Sequence, residues 1–105
     1  MNSDAVIRLE NGKGHKLYCA LEYEASVKSQ AEYISKMSTI YSTELIQMVL
    51  YVCRTPEIES RLKKSELEYV QKGAFKIYFT QLEKITNENS KVTFVNQESN
   101  FLEVY

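Results

Sequence analysis

Two runs near the start of the chain alternate between apolar and polar residues, and glycines lie between them. This pattern constrains the fold more than any other feature of the sequence. The first run, DAVIRLE, covers residues 4–10, and the second, HKLYCALEY, covers residues 15–23. Alternation with a period of two places every second side chain on one face of a β-strand. Two such runs around a short glycine-containing gap predict an antiparallel β-hairpin.

The apolar faces of the two runs also predict the register of this hairpin. With residues 12–14 as the loop, apolar residues pair with apolar residues, whereas a shift of one residue would mix the two faces. Gly14 fits the left-handed position of such a loop, so residues 10–17 are interpreted as a turn and not as a phosphate-binding loop. The predicted pairs are Ala5 with Leu21, Ile7 with Cys19, Leu9 with Leu17, Glu10 with Lys16 and Asn11 with His15.

The period of the apolar residues changes after this hairpin to steps of three and four, which is typical of a helix. The pattern predicts one long helix over residues 26–54, with a break near Ser42 and Thr43 as the alternative. Its last part, LIQMVLYVC at residues 45–53, is apolar on almost every side. Such a segment must be buried all round, so we expect other helices or a second chain to surround it.

Two further helices are expected after this segment. Thr55 is a good N-cap and Pro56 suits the first helical position, which predicts a helix over residues 56–64. The pattern that follows predicts a third helix over residues 66–86. The alternative for AFKIYFTQL, residues 74–82, is a β-strand, because this stretch is rich in aromatic and β-branched residues.

The end of the chain predicts a second hairpin, with the strands KVTFV and FLEVY around NQESN. The expected fold class is therefore α+β, with an N-terminal β-hairpin, a long helix, two further helices and a C-terminal β-hairpin. The simplest assembly is an antiparallel sheet with the helices packed on one face. A chain of 105 residues has the size of one ordinary domain, so residues 1–105 are expected to form a single domain.

Composition restricts the classes of function. The formal net charge of −1 argues against an obligate binder of polyanions. Both cysteines lie in apolar runs and no signal peptide precedes them, so a reducing, cytoplasmic location is expected. The longest apolar cluster is much shorter than the roughly 20 residues that a membrane span needs. No membrane contact and no cofactor are expected.

The candidates for catalysis are weak. His15 is the only histidine, and four strand residues place it about 13 Å from Cys19, beyond the reach of a hydrogen bond or a shared metal ion. Glu22 and Glu24 are interpreted as the solvent face of a strand, and the glutamates near residues 57 and 66 as helix-cap electrostatics. A nucleophile formed by Cys53 and His15 would need a tertiary coincidence. The chain is therefore predicted not to be an enzyme.

The remaining features favour a binding role. The leading hypothesis is a protein-interaction module that acts as a regulator, adaptor or inhibitor of a protein partner, and forms a homodimer through its long helix. Domains of this kind are common in phage and mobile-element genomes, which makes such an origin a hypothesis. The alternative is a nucleic-acid-binding regulator with a helix-turn-helix-like element at residues 56–86. The predicted partner-binding residues are Tyr33, Tyr41, Tyr51, Arg54, Arg61, Lys63 and Lys64.

Overall fold

The computed structural model describes residues 5–10, 16–70, 75–87 and 91–104. The predicted fold class is confirmed, because the described residues form an α+β fold with a hairpin near each end. The elements in chain order are β1 (Ala5–Glu10), β2 (Lys16–Glu24), α1 (Gln30–Ser42), β3 (Met48–Cys53), α2 (Pro56–Tyr69), β4 (Ile77–Gln81), α3 (Leu82–Asn87), β5 (Val92–Val95) and β6 (Phe101–Val104).

The described strands form one six-stranded sheet in the order β1-β2-β3-β4-β5-β6. The sheet is mixed and not purely antiparallel as predicted, because β2, β3 and β4 run parallel to one another. The hairpin pairs at the two sides of the sheet are antiparallel. Parallel neighbours need a crossover connection, and α1 and α2 provide the two crossovers. Two consecutive right-handed crossovers in one direction place both helices on the same face of the sheet.

The N-terminal hairpin has the predicted register. Its Cα partners include Ala5 with Leu21, Leu9 with Leu17 and Glu10 with Lys16. The glycine loop and the expected pair of Asn11 with His15 lie outside the described residues.

The long helix predicted over residues 26–54 is wrong in its second half. Helix α1 begins after Ser29, whose hydroxyl accepts a hydrogen bond from the backbone N–H of Glu32 at 3.2 Å, and it ends at Ser42. The apolar residues that follow form β3, the third strand of the sheet. A strand buried on both faces reads as a continuous apolar run, and periodicity cannot distinguish it from a buried helix.

The region after Thr55 also differs from the prediction. The predicted cap is confirmed, because the Thr55 side chain accepts from the N–H of Ile58 at 3.3 Å and Pro56 opens the helix. However, α2 continues through Ser65 to Tyr69 as one helix. The alternative reading of residues 74–82 is confirmed at Ile77–Gln81, which is β4. The predicted third helix over residues 66–86 is therefore wrong, and only α3 is helical after β4.

The C-terminal hairpin is confirmed, with Phe94 opposite Leu102 and Val95 opposite Phe101. Its turn is organised by Asn96, whose side-chain oxygen accepts from the N–H groups of Glu98 at 3.0 Å and Asn100 at 2.9 Å. Ser99 takes the left-handed conformation with φ of 64°. This is local turn chemistry of the kind that asparagine favours.

The core has two layers, one on each face of the sheet. On the first face, α1 and α2 bury Met37, Ile40 and Leu62 against β3 and β4. On the second face, Leu82 and Ile85 of α3 pack against a cluster that includes Cys19, Leu50, Val52 and Phe94. The prediction that helices pack on one face holds for α1 and α2 but not for α3. None of the helices described is both long and apolar enough to cross a membrane.

Candidate functional site

A groove of about 360 Å³ lies between α1 and α2 on the outer surface of the helical layer. This volume falls within the range of ligand pockets. We call it the α1–α2 groove. Helices α1 and α2 both run back from the carboxyl ends of parallel strands, so the first turns of both lie towards that edge of the sheet. The residues that line the groove are Gln30 and Tyr33 from α1, and Glu57, Ser60, Arg61, Lys64 and Ser65 from α2.

The groove brings together three of the seven predicted partner-binding residues, namely Tyr33, Arg61 and Lys64. Arg61 and Lys64 are exposed on α2 and supply the cationic side chains of the lining. Tyr33 is only 2% exposed, so it belongs to the core and contributes the floor of the groove. Its hydroxyl accepts a hydrogen bond from the backbone N–H of Lys28 at 2.9 Å.

The other predicted residues lie elsewhere. Tyr51 is fully buried on β3, and Tyr41 is half-buried near the end of α1. Arg54 is exposed just after β3, and the described structure places it outside the lining of the groove. The Lys63 ammonium pairs with Glu59 at 3.4 Å. Two of the three predicted tyrosines are therefore not surface groups, because Tyr33 and Tyr51 are core residues and Tyr51 lies on β3.

The charges around the groove are held in weak pairs. The Arg61 guanidinium lies 3.1 Å from the Glu57 carboxylate, with 52% and 62% of the two side chains exposed. An exposed pair of this kind contributes about 0–1 kcal/mol and is screened by salt. At the rim, the Gln30 amide donates to the Glu68 carboxylate at 2.6 Å. Within the described residues, Lys64 makes no ion pair.

Beneath the groove, the interpretation of Glu22 and Glu24 as solvent-facing is wrong. These carboxylates are 3% and 4% exposed, because α1 covers this face of β2. Glu24 pairs with Lys28 at 3.3 Å and Glu22 with Lys36 at 3.8 Å. The neighbouring Tyr51 hydroxyl is buried without a hydrogen-bond partner among the described residues, and its burial raises the pKa of this phenol. This cluster lies in the layer between α1 and the sheet, beneath the groove.

A second buried network, also not found from the sequence, joins α2 to its neighbours. Glu66 is 0% exposed, and its carboxylate accepts hydrogen bonds from the Tyr41 hydroxyl and, at 2.9 Å, from the Gln97 amide. Burial raises the pKa of the Glu66 carboxyl. The spacing of Ile58, Leu62 and Glu66 by four residues places this glutamate on the buried stripe of α2, which is the sequence signal that could have revealed it.

The thiols are poor nucleophiles. Cys53 is fully buried and burial raises the pKa of its thiol to about 12, so it is protonated at neutral pH. Burial also raises the pKa of Cys19, which is 1% exposed. The histidine considered as a partner for Cys53, His15, lies outside the described residues. Within those residues, no group of three or more His, Cys, Asp or Glu side chains is placed to hold a metal ion.

The helix-turn-helix interpretation of residues 56–86 is wrong. This region contains α2, then the strand β4, and then the short helix α3. The apolar residues that were expected to meet other helices or a second chain form β3, which lies between β2 and β4 in the sheet and packs on both faces. The homodimer stays a prediction, which light scattering tests against a chain mass of 12.2 kDa.

No protein-family model, no curated protein and no solved structure matches this chain in the three comparisons.

Proposed function

We propose that this protein is a non-catalytic protein-interaction module, a regulator, adaptor or inhibitor that binds a protein partner through the α1–α2 groove. The observation that carries the proposal is the groove itself, which brings the exposed cations Arg61 and Lys64 together above the buried Tyr33. Cationic side chains at such a site favour fast association and fix the orientation of a partner. The buried, protonated thiol of Cys53 supports a role without nucleophilic catalysis.

The rigid support of the groove is consistent with this role. Its floor, Tyr33, is fixed through the Lys28 backbone, and α2 is fixed to the C-terminal hairpin through Gln97, whose amide donates to the Lys63 carbonyl at 2.8 Å. A binding surface on ordered helices loses little conformational entropy when a partner binds. The exposed faces of α1 and α2 therefore form a preorganised surface.

The proposal is tested by capture from the native source with three immobilised proteins: the wild type, Arg61→Glu with Lys64→Glu, and Lys84→Glu. Lys84 is an exposed cation on α3, outside the lining of the groove. We expect to find a partner that binds to the wild type and to Lys84→Glu but not to the double variant. The purified partner should also bind to the purified wild-type chain. If no captured protein shows this pattern, the proposal fails.

A mobility shift with DNA and RNA at low and high salt tests the alternative from the sequence. We expect no shift that depends on Arg61 and Lys64. A salt-sensitive shift that the double variant abolishes would assign the surface to nucleic acid and overturn the proposal.

A further inference from the structure

The charge pattern of the α1–α2 groove restricts what a partner can place in it. Arg61 and Lys64 supply two positive charges to the lining, and Glu57 supplies one negative charge. Glu57 is already in contact with Arg61. The lining therefore has one positive charge in excess, which can attract an incoming acceptor. Lys64 makes no ion pair within the described part of the chain.

The existing ion pair in the groove leaves Arg61 able to make a ligand contact. Both side chains of the Arg61–Glu57 pair are more than half exposed, so the pair is weak and is screened by salt. The Arg61 guanidinium has five N–H donors, and the Glu57 contact uses its Nε and one terminal nitrogen. Other N–H groups of the fork can donate to a second carboxylate without loss of the Glu57 contact.

Ser65 adds a hydroxyl donor to the groove. It lines the groove in the middle of α2, and only 2% of the residue is exposed. Its hydroxyl makes no hydrogen bond within the residues that the structure describes, and it is not one of their fully enclosed polar atoms that lack a partner. The hydroxyl is therefore accessible from the groove and can donate to an acceptor that enters from outside.

The acidic neighbours of the groove limit the charge of that acceptor. Glu57 lies in the lining, and Glu68 is bound to Gln30 at the rim. These carboxylates repel a dense polyanion such as nucleic acid, and the whole chain has a formal net charge of −1. A single carboxylate meets Arg61 and Lys64 with little of this repulsion.

We propose that the α1–α2 groove binds one carboxylate group, carried by a segment of a protein partner, through Arg61, Lys64 and the Ser65 hydroxyl. The inference rests on the proposed function, since it names the chemical group by which the partner is recognised. The partner segment contributes a single aspartate, glutamate or chain-terminal carboxylate at this position, with neutral residues beside it.

The test is an NMR titration of the full chain with two blocked pentapeptides, acetyl-Ala-Ala-Glu-Ala-Ala-amide and the same peptide with glutamine in place of glutamate. We expect chemical shift changes at Arg61, Lys64, Ser65 and the Gln30 side chain, with the glutamate peptide bound at least about tenfold more tightly. Equal affinity for the two peptides, or changes confined to other surfaces, would overturn the proposal.

Three single variants refine this test. Arg61→Gln and Lys64→Gln should each weaken binding of the glutamate peptide several-fold, whereas Lys84→Gln on α3 should leave it unchanged. Folding of each variant is checked by circular dichroism. If Lys84→Gln weakens binding as much as Lys64→Gln, the attraction is non-specific and the site is wrongly assigned.

Ser65→Ala separates a ligand contact from a structural role. Alanine is the better helix former, and the Ser65 hydroxyl makes no hydrogen bond among the described residues, so this variant should be at least as stable as the wild type. We nevertheless expect it to bind the glutamate peptide several-fold more weakly. Unchanged binding would remove Ser65 from the site.

The two proposals fail in different ways. If a captured partner is lost from the double variant but the two peptides bind equally, the carboxylate inference is wrong and the interaction module stands. If the glutamate peptide binds as expected but no protein is lost from the double variant, the carboxylate site stands and the protein-partner function is wrong.

Discussion

The Tyr41 hydroxyl donates a hydrogen bond to the fully buried carboxylate of Glu66 and accepts one from the backbone N–H of Lys76 at 3.1 Å. One hydroxyl thereby joins the end of α1, the buried face of α2 and the residue before β4. The Lys76 ammonium adds to this junction, since it donates to the carbonyls of Thr43 at 3.3 Å and Ile46 at 3.0 Å. These hydrogen bonds hold the end of α1 and the connection from α1 to β3, where one long helix was predicted.

Tyr41→Phe should lower the free energy of unfolding by about 2 kcal/mol. The substitution keeps the ring but leaves the buried Glu66 carboxylate with one donor fewer and the Lys76 N–H without its acceptor. Urea denaturation measures the change. Tyr69→Phe is the matched control, because Tyr69 is 41% exposed and only its ring contacts Tyr41. Equal effects of the two substitutions would show that the hydroxyl bonds of Tyr41 do not stabilise the fold.

Glu66→Gln should change how stability depends on pH. Burial raises the pKa of Glu66 in the folded state, so the folded chain binds this proton more tightly than the unfolded chain. The resulting stabilisation is complete below the unfolded pKa of about 4 and is lost as the pH rises through the folded pKa. Glutamine does not titrate, so the variant should gain unfolding free energy relative to the wild type as the pH rises.

Urea denaturation at a series of pH values above about 4 measures this difference. Glu98→Gln, which removes an exposed carboxylate from the turn between β5 and β6, is the control for the loss of one negative charge. A constant offset between Glu66→Gln and the wild type at every pH would contradict the prediction.

The same substitution should have opposite effects at two threonines. Thr80→Val removes a buried hydroxyl that has no hydrogen-bond partner among the described residues, so the unfolding free energy should rise by about 1 kcal/mol. Thr55→Val removes the N-cap of α2, so the unfolding free energy should fall by about 1 kcal/mol. Thermal or urea unfolding of both variants provides the comparison. A loss of stability in Thr80→Val would indicate that an ordered water bonds this hydroxyl.

The two thiols should be unreactive until the chain unfolds. Cys19 and Cys53 are 1% and 0% exposed, and burial raises the pKa of both. We expect slow reaction with a disulfide reagent in native buffer and rapid reaction of two thiols per chain in concentrated urea. The single variants Cys19→Ser and Cys53→Ser show which thiol gives which reaction rate. Rapid reaction of Cys53 in native buffer would contradict this prediction and make Cys53 a candidate nucleophile.

The hairpins were predictable because apolar and polar residues alternate along their strands, which identifies the apolar face of each strand. The pairing of Leu9 with Leu17 follows from matching apolar faces across a short loop. Thr55 and Pro56 similarly mark the start of α2 by local chemistry. The central strands were not predictable in this way. Val49 packs on the helices and Leu50 on the opposite cluster, so neither face of β3 has a polar pattern.

The candidate site was predictable only in part, for a related reason. Arg61 and Lys64 are exposed cations on a helix that the sequence located, so their placement on one surface follows from helical spacing. The contribution of α1 depends on a crossover that brings Tyr33 beside α2. That juxtaposition is tertiary, and no local pattern around Tyr33 or Ser65 specifies it.

The sequential order of the sheet has a consequence for how the chain folds. Each hydrogen-bonded pair of described strands joins neighbours along the chain, so every strand docks on the one made just before it. The two hairpins close short loops and the two parallel pairs close longer helical crossovers, but no pairing skips a strand, and topologies without distant pairings fold faster than those dominated by them. A chain emerging from the ribosome can therefore add strands one at a time from the N-terminal hairpin. The α1–α2 groove is complete once α2 has docked, before the C-terminal hairpin is made.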